Sequence, residues 1–321
     1  MLMHATHLSK PHEQIKIMRI CLVIPSYSIV SFLSICFPNA YVYLNPWLNV
    51  IQGIVLATFF LLLCDYISTD SRQRDAFFAN VQLSNKKQEP IDAPGLYQKT
   101  WIFAIQYPIV SFVTAIATVI TQAAKIYCLG SNKPYFAHLW IQIIDDVSVA
   151  IAVIRVLSFF TALKVYLAGI NPMVKLLAFK MIVGATFLIS IIFLILRSTD
   201  VLKESSTLTW ADVNIGLPTL IISLLMVPFS LFFHYAYSIK PYRLSKIALN
   251  QVDNGKNEPF TPLEYQGGLF NLKMWFSVFI PTDLVRGIKG RRSYSSVARE
   301  PLRGQSEELR DYQSPLLYAQ R

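Results

Sequence analysis

Six apolar, nearly uncharged stretches follow one another along the first three quarters of the chain. Each has roughly 16 to 25 residues, the length at which an α-helix crosses a hydrocarbon layer about 30 Å thick. The stretches are Ile20–Phe37, Trp47–Cys64, Trp101–Ala124, Val147–Leu163, Met181–Leu196 and Val213–Tyr237. Because a backbone in lipid must satisfy its own hydrogen bonds, the pattern predicts an all-α, polytopic bundle of six transmembrane helices.

Polar segments before and after these stretches define the predicted domains. Residues 1–19 form a polar N-terminal segment, and the transmembrane bundle is predicted to occupy residues 20–240. Residues 241–285 form a juxtamembrane segment. Its aromatic, amphipathic run Leu269–Pro281 is too short to span a membrane and is expected to lie on a surface. Residues 286–321 are basic and rich in small polar residues, which predicts a disordered tail.

Prolines inside the apolar stretches predict kinks, because each removes a backbone hydrogen bond of its helix. They are Pro25, Pro108, Pro218 and Pro228. Proline and asparagine at both ends of residues 38–46 predict a short turn between the first two helices.

Composition narrows the class of protein. Hydrophobic residues make up 54% of the 321 residues and charged residues 15%, with a mean hydropathy of +0.43. An ordinary soluble enzyme could not cover so much apolar side chain, and a disordered chain would not carry it. Four cysteines are too few for a disulfide scaffold.

The net charge of +10 is distributed unevenly between alternate loops. One side collects Lys10, Lys16, Arg19, Arg72, Arg74, Lys86, Lys87, Lys99, Lys164, Lys175 and the basic tail. Positively charged loops stay in the cytosol, so both termini of this integral, multi-pass protein are predicted to be cytosolic. The pattern does not distinguish the plasma membrane from an endomembrane or the vacuole. The positive net charge is explained by the orientation of the protein in a lipid bilayer. A nucleic-acid partner is not predicted, because the sequence shows no basic face on a folded domain.

Placing an ionisable side chain inside an apolar helix costs free energy, so such residues are candidate contacts for a solute or an ion. Arg155, near the middle of the fourth stretch, is a candidate for an anion, although a long side chain that reaches the interface is an alternative. His138, Gln142 and Asp145 recur at helical spacing, with Asp146 beside them. They predict either a polar vestibule for a cationic or hydroxylated solute or a solvated helix end.

Three further sets complete the candidates. Gln106, deep in the third stretch, is suited to a hydrogen bond between helices or to a solute. Lys180, near the start of the fifth, is either an anion contact or an interfacial anchor. In the tail, four side chains are candidates for anionic lipid headgroups: Arg286, Lys289, Arg291 and Arg292.

No motif for ATP use, hydrolysis or redox chemistry occurs in the sequence. The sequence therefore predicts no enzymatic activity, no catalytic residues and no cofactor. Its five histidines have irregular spacing, and the sequence predicts no metal site.

Short motifs along the chain carry a family resemblance. The first motif consists of a His-Leu pair, a Pro, a Gln and an Arg-Ile that opens a helix containing Pro-x-Tyr. This chain matches it with His7, Leu8, Pro11, Gln14, Arg19, Ile20, Pro25 and Tyr27. Later blocks are matched by Gln106 and Tyr107, by Ser148, Ala152 and Phe159, and by His234, Ala236, Tyr237, Lys240, Pro241 and Tyr242. In order and spacing, residues 7–290 resemble the organic solute transporter alpha family, which includes the transmembrane protein 184 group.

The resemblance implies facilitated movement of an amphipathic organic solute, sterol-like or lipid-like, on a path between the third, fourth and fifth helices. It also raises an accessory subunit or a homo-oligomer as possible partners. The alternative function is a membrane scaffold or trafficking factor that recruits cytosolic proteins through its tail.

Three departures from the family pattern are visible. The fifth helix of relatives often ends in Phe-Trp-Gln, whereas this chain has Thr186-Phe187-Leu188-Ile189-Ser190, so a polar contact there would be absent. The family has seven helices and its first precedes the His-Leu block, whereas this chain begins six residues before His7. We therefore expect either that this helix is missing here or that the sequence is truncated. Many relatives carry a glutamate where this chain has Gln52, so a proton or cation role of that carboxylate would be absent.

Overall fold

The computed structural model describes residues 1–84, 90–130, 133–167, 172–198, 209–243, 265, 267–268 and 271–284. The chain divides into two units, Met1–Ile280 and Pro281–Arg321, and only residues 281–284 of the second are described. The predicted tail at residues 286–321 and its four basic candidates therefore lie outside the described residues.

The first unit is helical almost throughout its described residues, as predicted for an all-α protein. Its helices are α1 (Leu2–Thr6), α2 (Pro11–Cys21), α3 (Val23–Cys36), α4 (Tyr41–Ile67), α5 (Ser71–Asn80), α6 (Ala93–Ala123), α7 (Ala137–Leu163), α8 (Pro172–Ser198), α9 (Leu217–Ala236) and α10 (Leu272–Phe279). Two short strands, β1 (Leu83–Ser84) and β2 (Pro90–Ile91), pair antiparallel.

Four described helical stretches are long and apolar enough to cross a membrane: Pro11–Cys36, Pro38–Ile67, Ala93–Ala123 and Asp212–Tyr242. They contain four of the six predicted transmembrane helices. The other two fall in α7 and α8, each of which has 27 residues. The fold class is confirmed as a helical membrane protein, and the count of six transmembrane helices stays a prediction.

The outer surfaces of these helices are apolar. On α9, Leu220, Leu224, Val227 and Leu231 recur every three or four residues and are all exposed. Large exposed apolar stripes are not stable against water and mark surfaces that contact lipid or another protein. The stripe on α9 is therefore suited to contact lipid or another protein, as expected for a helix apolar enough to cross a membrane.

The core is built around α4, whose second half buries nearly every side chain between Val55 and Cys64. Close approach of α4 to α6 occurs at Gly53, where a Cβ atom would lie 2.8 Å from the Cα of Pro108. Only glycine leaves room for a neighbouring backbone at that distance. Further around the bundle, α6 contacts α7, α3 contacts α9, and α8 contacts α9.

The prolines have different effects in the structure. Pro25 leaves the carbonyl of Cys21 without its helical donor, and the first span is interrupted at Leu22, between α2 and α3. Before Pro218, a π-helical turn covers Asp212–Gly216. The predicted turn over residues 38–46 is wrong in its second half.

A short 3₁₀ turn covers Pro38–Ala40, and α4 begins at Tyr41, so Pro46 lies inside that helix. Pro46 therefore removes one backbone hydrogen bond, to the carbonyl of Val42, near the start of α4 without ending the helix.

The N-terminal segment is fixed by the amide of Gln14, which is fully buried. Its Oε1 accepts the backbone N–H groups of Ser9 and Lys10, both at 2.8 Å. Its Nε2 donates to the carbonyl of His7 at 2.8 Å. One side chain thus closes the turn between α1 and α2 and supplies an acceptor to amides that precede the helix.

The amphipathic helix α10 packs against this segment. Met274 and Val278 join a buried cluster with Ala5, Leu8 and Met18. Buried Arg19 on α2 donates Nε to the carbonyl of Val278 at 2.9 Å and Nη2 to that of Ile280 at 3.3 Å. An arginine at these carbonyls satisfies acceptors that the end of a helix leaves free. The opposite face of α10 is exposed and apolar, at Leu272, Phe276 and Phe279.

The Gly53–Pro108 approach predicts an asymmetry between two glycines. Gly53→Ala should lower the free energy of unfolding by about 1–3 kcal/mol, because its Cβ would force α4 away from α6. Gly184→Ala on α8 is the control, since a Cβ there meets nothing within 4 Å and alanine favours helix by up to about 1 kcal/mol. Denaturant unfolding of both purified variants measures the difference, and equal stabilities would contradict the close approach.

Candidate solute-binding site

A buried carboxylate joins three helices inside the bundle. Asp145 on α7 is only 9% exposed. Its Oδ2 accepts a hydrogen bond from Asn49 Nδ2 of α4 at 2.7 Å. Its Oδ1 accepts bonds from the hydroxyls of Ser111 and Thr114 of α6, each at 3.1 Å. A carboxylate in an apolar environment needs several donors, and here three side chains from two other helices provide them.

Other polar side chains extend from this carboxylate across the bundle. The hydroxyl of Tyr107, one turn before Ser111 on α6, interacts with the Ser111 side chain. On α3, the Tyr27 hydroxyl donates to Gln52 Oε1 of α4 at 3.0 Å. Tyr27, Gln52, Tyr107 and Asp145 are all buried. The interior therefore contains hydrogen-bonding groups from α3, α4, α6 and α7.

One buried hydroxyl beside this site is available for a further hydrogen bond. Ser148 lies one turn after Asp145 on the same face of α7, and its Oγ is buried without a hydrogen-bond partner among the described residues. Buried hydroxyls are normally paired, so an unpaired one next to a carboxylate is suited to receive a polar group of a ligand or a water molecule.

A second polar cluster lies where the C-terminal end of α4 meets α2 and α5; we call it the basic end. Lys16 of α2 forms a buried ion pair with Asp65 of α4. Arg74 of α5 lies 3.9 Å from the other oxygen of Asp65, and its Nε donates to the hydroxyl of Tyr97 at 3.2 Å. The pair is nearly excluded from solvent, so loss of one partner would leave an uncompensated charge.

The basic end also contains a chain of hydrogen bonds between helices. Lys175 of α8 donates its ammonium to the hydroxyl of Tyr66 at 2.6 Å. The Tyr66 hydroxyl interacts with that of Tyr242, which donates to Glu13 Oε2 at 2.9 Å. This chain connects α8, α4, the residues after α9 and α2, and so fixes the ends of these helices against one another.

Comparison with known proteins gives the family. The family model described as "Organic solute transporter Ostalpha" matches residues 1–242, about three quarters of the chain. The chain belongs to the Ostalpha family of organic solute transporters. The transmembrane helices and the polar interior described above are thus those of a transmembrane protein 184-like member of this family.

Two relatives illustrate the distance within the family. A transmembrane protein 184 homolog of Dictyostelium discoideum is 24% identical over 269 residues, covering 79% of this chain and 52% of the relative. Protein LAZ1 of Arabidopsis thaliana is 26% identical over 263 residues, covering 75% and 54%. The chain therefore spans about half the length of these relatives. No solved structure matches the chain.

The predicted site residues of this Ostalpha family member do not all lie together. Asp145 lies at the centre of the buried site. Arg155, ten residues further along α7, is half-buried, with its guanidinium 5.5 Å from the centroid of the Phe103 ring on α6. Gln106 of α6 is exposed, because its neighbour Tyr107 occupies the inward position.

The remaining predictions fall mostly on the surface. On α7, Gln142 and Asp146 are exposed and His138 is half-buried, with its ring 5.1 Å from that of Tyr127. Lys180 of α8 is exposed, whereas Lys175, one and a half turns earlier, is buried. Within the part of the chain that the structure describes, no three His, Cys, Asp or Glu side chains lie close enough to hold a metal ion.

Sequence reasoning missed the three donors of Asp145. Asn49, Ser111 and Thr114 are small polar residues in apolar helices and resemble ordinary helix-packing residues. A helical-periodicity signal was available on α6, because Tyr107, Ser111, Thr114 and Thr118 recur every three or four residues on its buried face. At Gln52, the amide oxygen accepts a hydrogen bond from the hydroxyl of Tyr27.

His4 of α1 gives the stability of the folded protein a pH dependence. Its Nε2 lies 2.8 Å from the Tyr237 carbonyl and its Nδ1 lies 3.3 Å from the amide nitrogen of Gln14. A carbonyl only accepts and an amide NH₂ only donates, so the ring is a neutral Nε2–H tautomer. Burial lowers the pKa of His4 from 6.5 to about 4, although the bond to the Tyr237 carbonyl opposes this shift.

We expect acid to destabilise the protein through His4. Between pH 6.5 and about 4 the unfolded chain binds a proton that the folded chain does not, so the free energy of unfolding falls as the pH falls through this window. The loss is at most about 3 kcal/mol. His4→Gln should remove this part of the pH profile, while the same change at exposed His12 should keep it. Parallel profiles of the native protein and His4→Gln in chemical denaturation would contradict the assignment.

Proposed function

We propose that this chain moves amphipathic organic solutes, sterol-like or lipid-like, across the membrane by facilitated movement. The supporting observation is the Asp145 site, a hydrogen-bonded carboxylate inside an apolar bundle of the Ostalpha transporter family. Intramembrane ionisable groups are kept where they contact a solute, an ion or a wet cavity. The proposed path lies between α6, α7 and α8, which contain the third, fourth and fifth predicted transmembrane helices.

The two buried or half-buried charges of α7 match the shape of such a solute. Asp145, with its hydroxyl and amide neighbours and with the unpaired Ser148 hydroxyl, suits a hydroxyl group. Arg155 suits an anionic group. Ten residues place the two about 15 Å apart along the helix, rotated by about 80°. A solute with a hydroxyl at one end, an apolar body and an anionic group at the other would contact both.

The charges at the basic end support a cytosolic location of both termini. Lys16, Arg74 and Lys175 come together there from three helices, and cytoplasmic ends carry the excess of lysine and arginine. Transport in either direction would then begin or finish at this end. We propose no catalytic step, and an accessory subunit or a second copy remains part of the proposal.

Uptake into reconstituted vesicles tests the role of Arg155. Arg155→Ala should lower the initial rate of uptake of a sulfated sterol by about ten- to a hundredfold, because it removes a charged hydrogen-bond donor worth about 1.5–3 kcal/mol. Arg155→Lys should recover part of the rate. Lys164→Ala, at an exposed lysine beyond the end of α7, is the control. Unchanged uptake by Arg155→Ala would remove this residue from the path.

Truncation separates transport from a scaffold role. The chain ending at residue 285 should keep vesicle uptake, because all elements of the Asp145 site precede that position. A scaffold would lose its cellular phenotype with the tail and show no uptake in either form. Absence of uptake by the full chain would favour the scaffold.

A further inference from the structure

A cavity of about 550 Å³ lies apart from the Asp145 site, where α1, the start of α3 and the end of α9 meet. The cavity lies near the end of α4, because its lining residue Lys240 closely precedes Tyr242, which interacts with Tyr66 of that helix. Asp145 lies in the other half of the bundle, since its partner Asn49 precedes the end of α4 by 18 residues, about 27 Å of helix. The volume lies within the range of about 300–1,000 Å³ that is common for small-molecule sites. Neither the transport path nor the ion pairs described above use this cavity.

The rim of the cavity is basic. His234, Lys240 and Arg243 line it and are exposed, and none of its described lining residues is acidic. Neither Lys240 nor Arg243 forms an ion pair with a described residue. An ammonium and a guanidinium at one rim bind phosphate well, since the guanidinium offers a planar pair of donors and the ammonium a concentrated charge. The rim therefore selects an anion.

The wall of the cavity is apolar and belongs to membrane-spanning helices. Ile24 and Pro25 lie in the first turn of α3, and Phe233 lies in the last turn of α9. Both helices continue into stretches that are apolar enough to cross a membrane. A molecule seated here thus has its anionic part at the rim and an apolar part directed along α3 and α9.

We propose that this cavity binds an anionic phospholipid of the surrounding leaflet. The phosphate lies at His234, Lys240 and Arg243, and an acyl chain lies along Ile24, Pro25 and Phe233. Net charge distinguishes this lipid from a zwitterionic one, because a choline group would place a positive charge against a wholly basic rim. The bound lipid connects α1, α3 and α9, so it stabilises the folded chain when present.

Thermal unfolding of the purified full chain in detergent tests the proposal. Short-chain phosphatidic acid should raise the unfolding midpoint in a saturable manner, because a ligand that binds only the folded state stabilises it. Short-chain phosphatidylcholine should not. Glycerol phosphate and inorganic phosphate, which carry the anion without an acyl chain, should have at most a small effect at the same concentration.

A matched pair of double variants locates the site. Lys240→Gln with Arg243→Gln should weaken the apparent affinity for phosphatidic acid by at least about tenfold, without changing the midpoint of the lipid-free protein. Lys125→Gln with Lys133→Gln removes the same charge from exposed positions on the α6–α7 connection and should keep the native response.

Three results would overturn the proposal. The first is equal stabilisation by phosphatidylcholine, and the second is equal stabilisation by inorganic phosphate alone. The third is an undiminished response of the Lys240 and Arg243 double variant. Uptake by vesicles made without anionic lipid is a separate measurement, so failure of lipid binding and failure of transport are distinguishable.

Discussion

A carboxylate within an apolar helical bundle is stable only where protein groups replace the hydrogen bonds of water. Asp145 obtains these bonds from α4 and α6, and the geometry of that part of the bundle follows from them. Asn49 lies one turn before Gly53 on α4, and Ser111 lies one turn after Pro108 on α6. The close approach of the two backbones at Gly53 and Pro108 is therefore adjacent to the shared carboxylate. Bringing α4 and α6 together at Gly53 allows short side chains of both helices to reach Asp145 on a third.

Buried charges are stabilised in different ways at the two ends of the bundle. Near Asp145, neutral donors surround a single carboxylate, and no cation is among its hydrogen-bond partners in the described residues. At the basic end, Lys16 and Arg74 approach Asp65, and other bonds tie α8 and the end of α9 to the N-terminal segment. The neutral arrangement leaves polar capacity for a solute, whereas the ionic one holds helix ends in place. This division agrees with the proposed function, in which a solute binds inside the bundle.

Hydropathy predicted the elements of this fold because helix formation in an apolar stretch depends on local sequence. All six predicted stretches fall on helices, the first of them across α2 and α3, and the break between these two helices lies at Leu22, within one turn of Pro25. Local sequence also explains the errors. Pro46 was predicted to end a turn, yet it lies inside α4, where it removes one backbone hydrogen bond near the start of the helix.

The site was harder to predict, because its partners are distant in sequence. Asp145 was identified as an ionisable residue, but Asn49 lies 96 residues away. Helical spacing alone did not show which face of α6 is buried, and Gln106 was selected where its neighbour Tyr107 faces the interior. Membership in the Ostalpha family supplied the class of function, while the contacts of Asp145 come only from tertiary structure.

The Asn49–Asp145 bond is tested most directly by a double-mutant cycle. Free energies of unfolding of the full chain in detergent are measured for Asn49→Leu, Asp145→Leu and the double variant. Asn49→Leu removes one of the three donors of buried Asp145, and Asp145→Leu leaves half-buried Asn49 without this acceptor, so each single change should cost about 1–3 kcal/mol. The double variant removes both groups, so we expect its loss to be smaller than the sum of the single losses by at least about 1 kcal/mol. Losses that add to within about 0.5 kcal/mol would show that the two residues do not interact and would contradict the central role of Asp145.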